Sequence, residues 1–228
     1  MSITSTQAVS LLENVLFETP ATAQANAALW VSGAGIAASA TAMAATSEAG
    51  IAEQVVRFYY GGLGRAPGGA EIAYYVTIAE TGLTPAQISQ GAAAVSQATW
   101  NQIAADFTNS PEFAASNPAG SVVESLYLNI LGRAPSASET SYYNAQLNNG
   151  APTSLLLQEF VNSPEYTKAV NGGIATALAT YGTAVAQGQP ITFPGAGSIP
   201  VVASVSEVGL SGVHHVGSLS HGFGIEHP

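Results

Sequence analysis

The pentapeptide LGRAP occurs twice in this sequence, at residues 63–67 and again at residues 131–135. Each copy contains one of the four basic residues of the chain, Arg65 in the first and Arg133 in the second. A catalytic arginine is not normally needed twice, whereas a repeated structural unit needs its arginine once per copy. The two pentapeptides therefore favour an internal repeat.

The similarity between the two copies continues on both sides of LGRAP. VVRFYYGGLGRAPGGAEIAYYV at 55–76 aligns with VESLYLNILGRAPSASETSYYNAQL at 123–147 at an offset of 68 residues. A second block follows each copy, DFTNSPEF at 106–113 and EFVNSPEY at 159–166, and here the offset is 53. Repetition at this many positions predicts a repeat architecture. We expect the additional residues of the first copy to lie between 85 and 102.

Each unit is predicted to be helical. Gly132 follows an apolar run with helical spacing and is suited to the left-handed residue that ends a helix, and Pro135 is then expected to open the next helix. Gly64 and Pro67 occupy the same places in the first copy. The apolar run of the second copy consists of Val123, Leu126, Tyr127, Ile130 and Leu131.

The NSPE block predicts the start of another helix in each unit. Its serine is a good N-cap, its proline fits the first helical position, and its glutamate suits the positive end of the helix dipole. These residues are Ser110, Pro111 and Glu112 in the first copy, and Ser163, Pro164 and Glu165 in the second.

Both repeat arginines are predicted to have a structural role. Because Arg65 and Arg133 lie in turns that end helices, their guanidinium groups can bind exposed carbonyl oxygens or nearby carboxylates. A role in anchoring a ligand is the alternative. The expected carboxylate partners are Glu71 and Glu139 and the glutamates of the NSPE blocks.

The predicted fold is mainly α, with two homologous helical repeat units, a degenerate N-terminal helical unit and an extended, β-type C-terminal tail. The N-terminal unit is included because residues 11–31 have an apolar run, a turn proline and a closing aromatic residue, without Gly-Arg. The predicted domains are an N-terminal helical segment at 1–50, repeat units at 51–118 and 119–187, and the tail at 188–228.

Composition excludes several classes of function. Charged residues make up 8% of the chain and its net charge is −10, which disfavours nucleic acid as a partner. The sequence contains no cysteine, and no apolar stretch is long enough to span a membrane. A weakly charged surface is typical of proteins that pack against copies of themselves.

The C-terminal tail differs from the rest of the chain. Residues 201–208 and 213–227 are rich in Gly and β-branched residues and are predicted to be extended, with alternate side chains available for contact with another subunit. These contact residues are Leu219, Phe223 and Ile225. The tail also contains all four histidines of the chain, which makes them candidate zinc ligands: His214, His215, His221 and His227.

The LGR-x-P and NSPE blocks together resemble a repeat domain of unknown function found in secreted and surface-layer-like bacterial proteins. The resemblance covers about residues 53–169. It implies an all-helical fold and an extracellular location, and it implies no catalytic residue. The Gly-Gly-x-Gly-x-Asp calcium repeats of the long secreted members are absent from this sequence.

These observations predict an extracellular structural protein that self-assembles head to tail into a filament or surface lattice, with the tail strand inserted into a neighbour. The N terminus lacks the pattern of a cleaved signal peptide, so we expect export without one, by type I secretion. No enzymatic motif is found and no cofactor is expected, although zinc and calcium stay open. One alternative is a module that binds cell-surface polysaccharide through the pairs Tyr74-Tyr75 and Tyr142-Tyr143. The other is a zinc-binding protein that uses the histidines of the tail.

Overall fold

The computed structural model describes residues 2–194 apart from residues 32 and 119, and within these residues all regular secondary structure is helical. The mainly α fold predicted from the repeats is therefore confirmed. The predicted strands at 201–208 and 213–227 lie outside the described residues.

The N-terminal unit contains three helices, and each repeat unit contains a longer series. The N-terminal helices are α1 (Ser5–Leu11), α2 (Pro20–Trp30) and α3 (Ile36–Ala44). The first repeat unit contains α4 (Gly50–Phe58), α5 (Gly69–Glu80), α6 (Pro85–Ile88), α7 (Gln97–Thr108) and α8 (Pro111–Ser116). The second contains α9 (Val122–Leu126), α10 (Ala137–Asn148), α11 (Thr153–Val161) and α12 (Pro164–Ala186).

The additional residues of the first repeat lie between α5 and α7. They form α6 and a short 3₁₀ helix, Gly91–Ala94, whereas a loop at 149–152 joins the corresponding helices of the second repeat. The predicted location, 85–102, includes both of these additional elements.

One continuous hydrophobic core joins the three units. Helix α12 packs along α3 and α1, and α11 packs against α7. Gly61 lies where the first repeat meets the second, and a Cβ atom there would come within 2.7 Å of Val161 Cγ1 and 3.2 Å of Ile130 Cδ1. Glycine at this position therefore allows the two repeats to approach closely.

The same aromatic cluster forms the centre of each repeat. In the first repeat, Tyr59 meets the edge of Phe107 with ring centroids 4.8 Å apart, and Tyr75 lies 5.0 Å from the same ring. In the second repeat, Tyr127 and Tyr143 lie 4.8 Å and 5.1 Å from Phe160. Aromatic pairs prefer such tilted and edge-to-face contacts. The repeated sequence blocks thus meet in the core of each unit.

The chain that follows α12 returns to the body. Phe193 is buried and its ring lies 5.8 Å from that of Tyr181. The hydroxyl of Tyr60 donates a 2.7 Å hydrogen bond to the carbonyl oxygen of Pro194. The described part of the chain therefore ends at Pro194 in a fixed place beside the first repeat.

Candidate functional site

The same turn follows the first helix of the N-terminal unit and of each repeat. The helix widens into a π turn, and the next residue adopts a left-handed conformation that ends it. The left-handed residue is Gly64, with a φ angle of 66°, in the first repeat and Gly132, with 67°, in the second. In the N-terminal unit it is Phe17, with a φ angle of 59°. The three π turns are Leu12–Leu16, Tyr59–Leu63 and Tyr127–Leu131.

The residue after the left-handed position is ionisable in all three turns. It is Arg65 in the first repeat, Arg133 in the second and Glu18 in the N-terminal unit. The backbone N–H of Arg65 donates to the carbonyl of Tyr59, and the N–H of Glu18 donates to that of Leu12 in the same way. The backbone thus places an arginine in two turns and a glutamate in the third at equivalent positions.

Arg65 is bound by two carboxylates of its own repeat. Its Nη1 and Nη2 atoms donate to Glu71 at 2.9 Å and 2.8 Å, and Nη2 also donates to Glu112 at 3.1 Å. Nε donates to the other oxygen of Glu112, and Nη1 donates to the carbonyl of Ala66 at 3.0 Å. The guanidinium also lies 5.0 Å from the ring centroid of Tyr59.

Arg133 makes the same set of contacts in the second repeat. Its Nη1 and Nη2 atoms donate to Glu139 at 3.2 Å and 2.9 Å, and its Nε and Nη2 atoms donate to Glu165 at 3.3 Å and 3.5 Å. Nη1 also donates to the carbonyl of Ala134 at 3.5 Å, and the guanidinium carbon lies 4.8 Å from the ring centroid of Tyr127. The expected contacts of both arginines are therefore present.

These contacts occupy the arginines completely. A guanidinium has five N–H donors, and Arg65 uses one on Nε, two on Nη1 and two on Nη2. Hydrogen bonds from Arg65 lower the pKa of Glu71. Burial alone would raise the pKa of Glu139, but bonds from Arg133 and Ser136 lower it to about 2. No donor is left for an anionic ligand, so the geometry favours the structural role over ligand anchoring.

The capping residues of the NSPE blocks lie where the sequence predicts them. Ser110 accepts the N–H of Phe113 at 3.0 Å and Ser163 accepts that of Tyr166 at 3.2 Å. Pro111 and Pro164 each begin a helix, and the next residue in each helix, Glu112 and Glu165, is the second carboxylate partner of the arginine.

The expected role of Pro67 and Pro135 is wrong. Each proline precedes the N-cap of the following helix, which is Gly68 in the first repeat and Ser136 in the second. Ser136 is the N-cap because it exchanges two hydrogen bonds with Glu139. The N–H of Ser136 donates to the Glu139 carboxylate at 2.7 Å, and the Ser136 hydroxyl accepts the N–H of Glu139. This capping box fixes the helix start two residues after the proline.

Each tyrosine pair divides between core and surface. Tyr75 and Tyr143 belong to the aromatic clusters, whereas Tyr74 is 60% exposed and Tyr142 is 45% exposed. The outer rings are the exposed aromatic groups on which the polysaccharide alternative depends.

Glu18, Glu48 and Glu80 form a cluster of buried carboxyl groups, two of which contact Asn26 of α2. The Asn26 amide donates to both oxygens of Glu18 at 3.4 Å and to Glu48 at 3.3 Å. Burial, followed by the hydrogen bond and charge of Glu48, raises the pKa of Glu18 to about 9. Burial and the charge of Glu48 raise the pKa of Glu80 to about 7.

Sequence reasoning did not identify this carboxyl cluster. Its members are far apart in the sequence and belong to no repeated block. The one available signal was the alignment of the N-terminal apolar run with the repeats, which places Glu18 where the repeats have arginine.

The described residues offer few other candidate sites. A shallow, mainly apolar groove lies beside Ile3, Gln7, Ile36 and Gln187. In this part of the chain no three His, Cys, Asp or Glu side chains are arranged to hold a metal ion. Of the helices described, none combines the length and hydropathy needed to cross a membrane.

The tail residues predicted to bind metal or a neighbouring subunit all lie outside the described residues. They are His214, His215, His221, His227, Leu219, Phe223 and Ile225.

Comparison with known proteins finds one family. Residues 104–170 match a domain of unknown function, DUF4214. The match runs from within α7 into α12 and includes the second LGRAP turn with both carboxylate partners of Arg133. No curated protein and no solved structure matches this chain.

Proposed function

We propose that this chain is an extracellular structural protein that self-assembles into a filament or surface lattice. Within this proposal, residues 51–118 are a second copy of the domain matched at 104–170, with the LGR-x-P and NSPE blocks as its signature. Residues 1–50 are a degenerate third unit. Export proceeds without a cleaved signal peptide, and the partner is another copy of the chain.

The observation that carries the structural role is the internal use of the repeat arginines. Arg65 and Arg133 donate to carboxylates and carbonyls of their own units, and the buried Arg57 donates to Gln54 and Asn171. Three of the four basic residues of the chain are thus used in holding the fold together. Such use of charge suits a scaffold better than a site that binds an anionic substrate.

The fixed start of the tail supports a head-to-tail mode of assembly. The carbonyl of Pro194 accepts a hydrogen bond from Tyr60 and the ring of Phe193 is buried, so the described chain ends at a defined place on the body. A tail that adds a strand to a neighbour differs from its acceptor surface, and such a contact forms an open filament unless its rotation closes a ring.

The test compares the full chain with a variant that lacks residues 201–228 but keeps the anchor at 193–194. Electron microscopy and sedimentation of the full chain should show polymers at high protein concentration. The shortened chain should be monomeric with an unchanged far-UV circular dichroism signal per helical residue. A shortened chain that still polymerises, or a full chain that stays monomeric, would contradict this assembly mode.

Metal dependence is tested in the same samples. If zinc bound by the tail histidines holds the subunits together, polymers should dissociate in EDTA and form again with added zinc. Polymers that persist in EDTA would show that strand addition needs no metal.

A polysaccharide-binding module is the second candidate, and the exposure of Tyr74 favours it. Its repeat counterpart Tyr142 is also exposed, so the two copies present aromatic surfaces of the kind on which sugar rings stack. Replacing Tyr74 and Tyr142 by alanine should abolish retention on immobilised bacterial cell-surface polysaccharide if this function is correct. Unchanged retention by the double variant, or no retention of the parent chain, would reject it.

A further inference from the structure

Helix α2 has an unusual buried face. Its fully buried residues are Ala23, Asn26 and Ala27, and Trp30 at its C-terminal end is partly buried against the core. Near its C-terminal end, Leu29 is 82% exposed. The polar contacts of Asn26 with Glu18 and Glu48 therefore matter more for the docking of α2 than they would for a helix with large buried apolar residues.

The groups that face this contact are carboxyls. Glu18 follows the π turn at 12–16, Glu48 lies in the turn before α4, and Glu80 lies at the end of α5. The Oε2 atom of Glu80 is buried and has no hydrogen-bond partner among the described residues. Such an oxygen is costly to bury as part of an ionised carboxylate.

The other elements around the cluster do not supply a compensating charge. Helix α3 (Ile36–Ala44) and helix α6 (Pro85–Ile88) contain no ionisable residue. The α12 residue that stacks beside this turn is Tyr181, on the ring of Phe17. The basic residues are engaged elsewhere or exposed: Arg57 with Glu53 and Asn171, Arg65 and Arg133 with their repeat carboxylates, and Lys168 on the surface of α12.

We propose that the carboxyl cluster is a proton-operated latch, which holds α2 on the body while protons are bound and releases it at alkaline pH. When Glu18 carries a proton, its hydroxyl can share a hydrogen bond with Glu48, and the Asn26 amide donates to both groups. When both are ionised, two buried negative charges face each other beside Glu80, and the residues that α2 buries fully are only two alanines and Asn26.

The direction of the pH effect follows from proton linkage. Burial and Glu48 raise the pKa of Glu18 from 4.5 to about 9 in the folded state, so between these values the folded protein binds a proton that the open state does not. Opening is therefore suppressed at low pH and becomes easier as pH rises, by about tenfold per pH unit for one proton. The pKa of Glu80 is raised to about 7, so below neutral pH the folded state binds a second proton, on Glu80.

The test is hydrogen exchange of the full chain, read by mass spectrometry on α2 peptides and corrected for the intrinsic exchange rate at each pH. The opening constant of α2 should rise about 50-fold between pH 7 and pH 9, where Glu18 titrates. In Glu18→Gln it should change less than threefold. The exposed-carboxylate variant Glu124→Gln is the control, in which α2 should behave as in the parent.

A second measurement uses Trp30, which lies at the end of α2. In a Trp100→Phe background Trp30 is the remaining tryptophan, and its fluorescence should change in the same pH range in the parent and not in Glu18→Gln. An opening constant that rises equally in both proteins, or that does not rise in the parent, would overturn the proposal. So would a Glu18→Gln chain that fails to fold at pH 6, because folding would then require the ionised carboxylate.

Discussion

The turn after the first helix is built alike in the N-terminal unit and in the repeats, yet its ionisable residue is a glutamate in the first and an arginine in the others. In the repeats, Arg65 and Arg133 each lie between two carboxylates, and the pKa of one of them, Glu71 or Glu139, is lowered. In the N-terminal unit, Glu18 meets Glu48 and Asn26, away from any arginine. One backbone turn therefore supports two kinds of polar contact that respond to pH in opposite directions.

The difference shows what each kind of contact requires. The arginine contacts are partly exposed, with 39% of the Arg65 side chain accessible, so water screens the charges and the guanidinium balances them. The carboxyl cluster is buried, and burial favours the neutral form of an acid that has no cationic partner. Sign of charge and depth of burial together decide which protonation state stabilises the fold.

The largest expected effect comes from removing a repeat arginine. Arg133→Ala should lower the free energy of unfolding at pH 7 by about 2 kcal/mol, because it leaves Glu139 and Glu165 without a cation and removes the contact with Tyr127. Chemical denaturation measures this change. Lys168→Ala is the matched control, since it removes the same charge from an exposed position and should change stability by less than about 0.5 kcal/mol. Equal effects of the two substitutions would contradict the structural role of Arg133.

The acid side of the stability profile should depend on the same arginine. The folded-state pKa of Glu139 is lowered from 4.5 to about 2, so its contribution is complete above about pH 4.5 and is lost as pH falls through 2. The difference in unfolding free energy between the parent and Arg133→Ala should therefore shrink from pH 5 to pH 2. A difference that stays constant over this range would mean that Arg133 acts through packing alone.

A smaller effect is expected at the left-handed position of the turn. Gly132→Ala should cost about 1 kcal/mol, because a side chain at a φ of 67° is strained. Gly172→Ala is the control: it lies within α12, where a Cβ atom would meet nothing within 4 Å, and alanine should stabilise the helix there. The two substitutions should shift the melting temperature in opposite directions. A gain in stability at both positions would exclude backbone strain at Gly132.

The repeats explain how much of this fold was predictable. Two aligned copies of LGRAP and NSPE identified the helices, the left-handed Gly132, the caps at Ser110 and Ser163, and the carboxylate partners of the arginines, because each depends on residues close to the repeated blocks. The prolines were misplaced by the same local reasoning, since the capping box of Ser136 and Glu139 competes with proline for the helix start.

The carboxyl cluster was not predictable in this way. Glu18, Glu48 and Glu80 come together only through the packing of segments that are far apart in the chain, and a single sequence contains no record of that packing. The division of the tyrosine pairs had the same cause. Helical spacing shows that Tyr142 and Tyr143 point in different directions, but only the position of Phe160 determines which ring is buried.

The most direct test of the contrast is the titration of individual glutamate carboxyls by ¹³C NMR in the full chain. Glu139 should titrate near pH 2 and Glu18 near pH 9, so that in one folded molecule at neutral pH the first is ionised and the second is protonated. If Glu18 and Glu139 both titrated between pH 4 and pH 5, as carboxyls do in unfolded chains, the contrast between the two turns would be wrong.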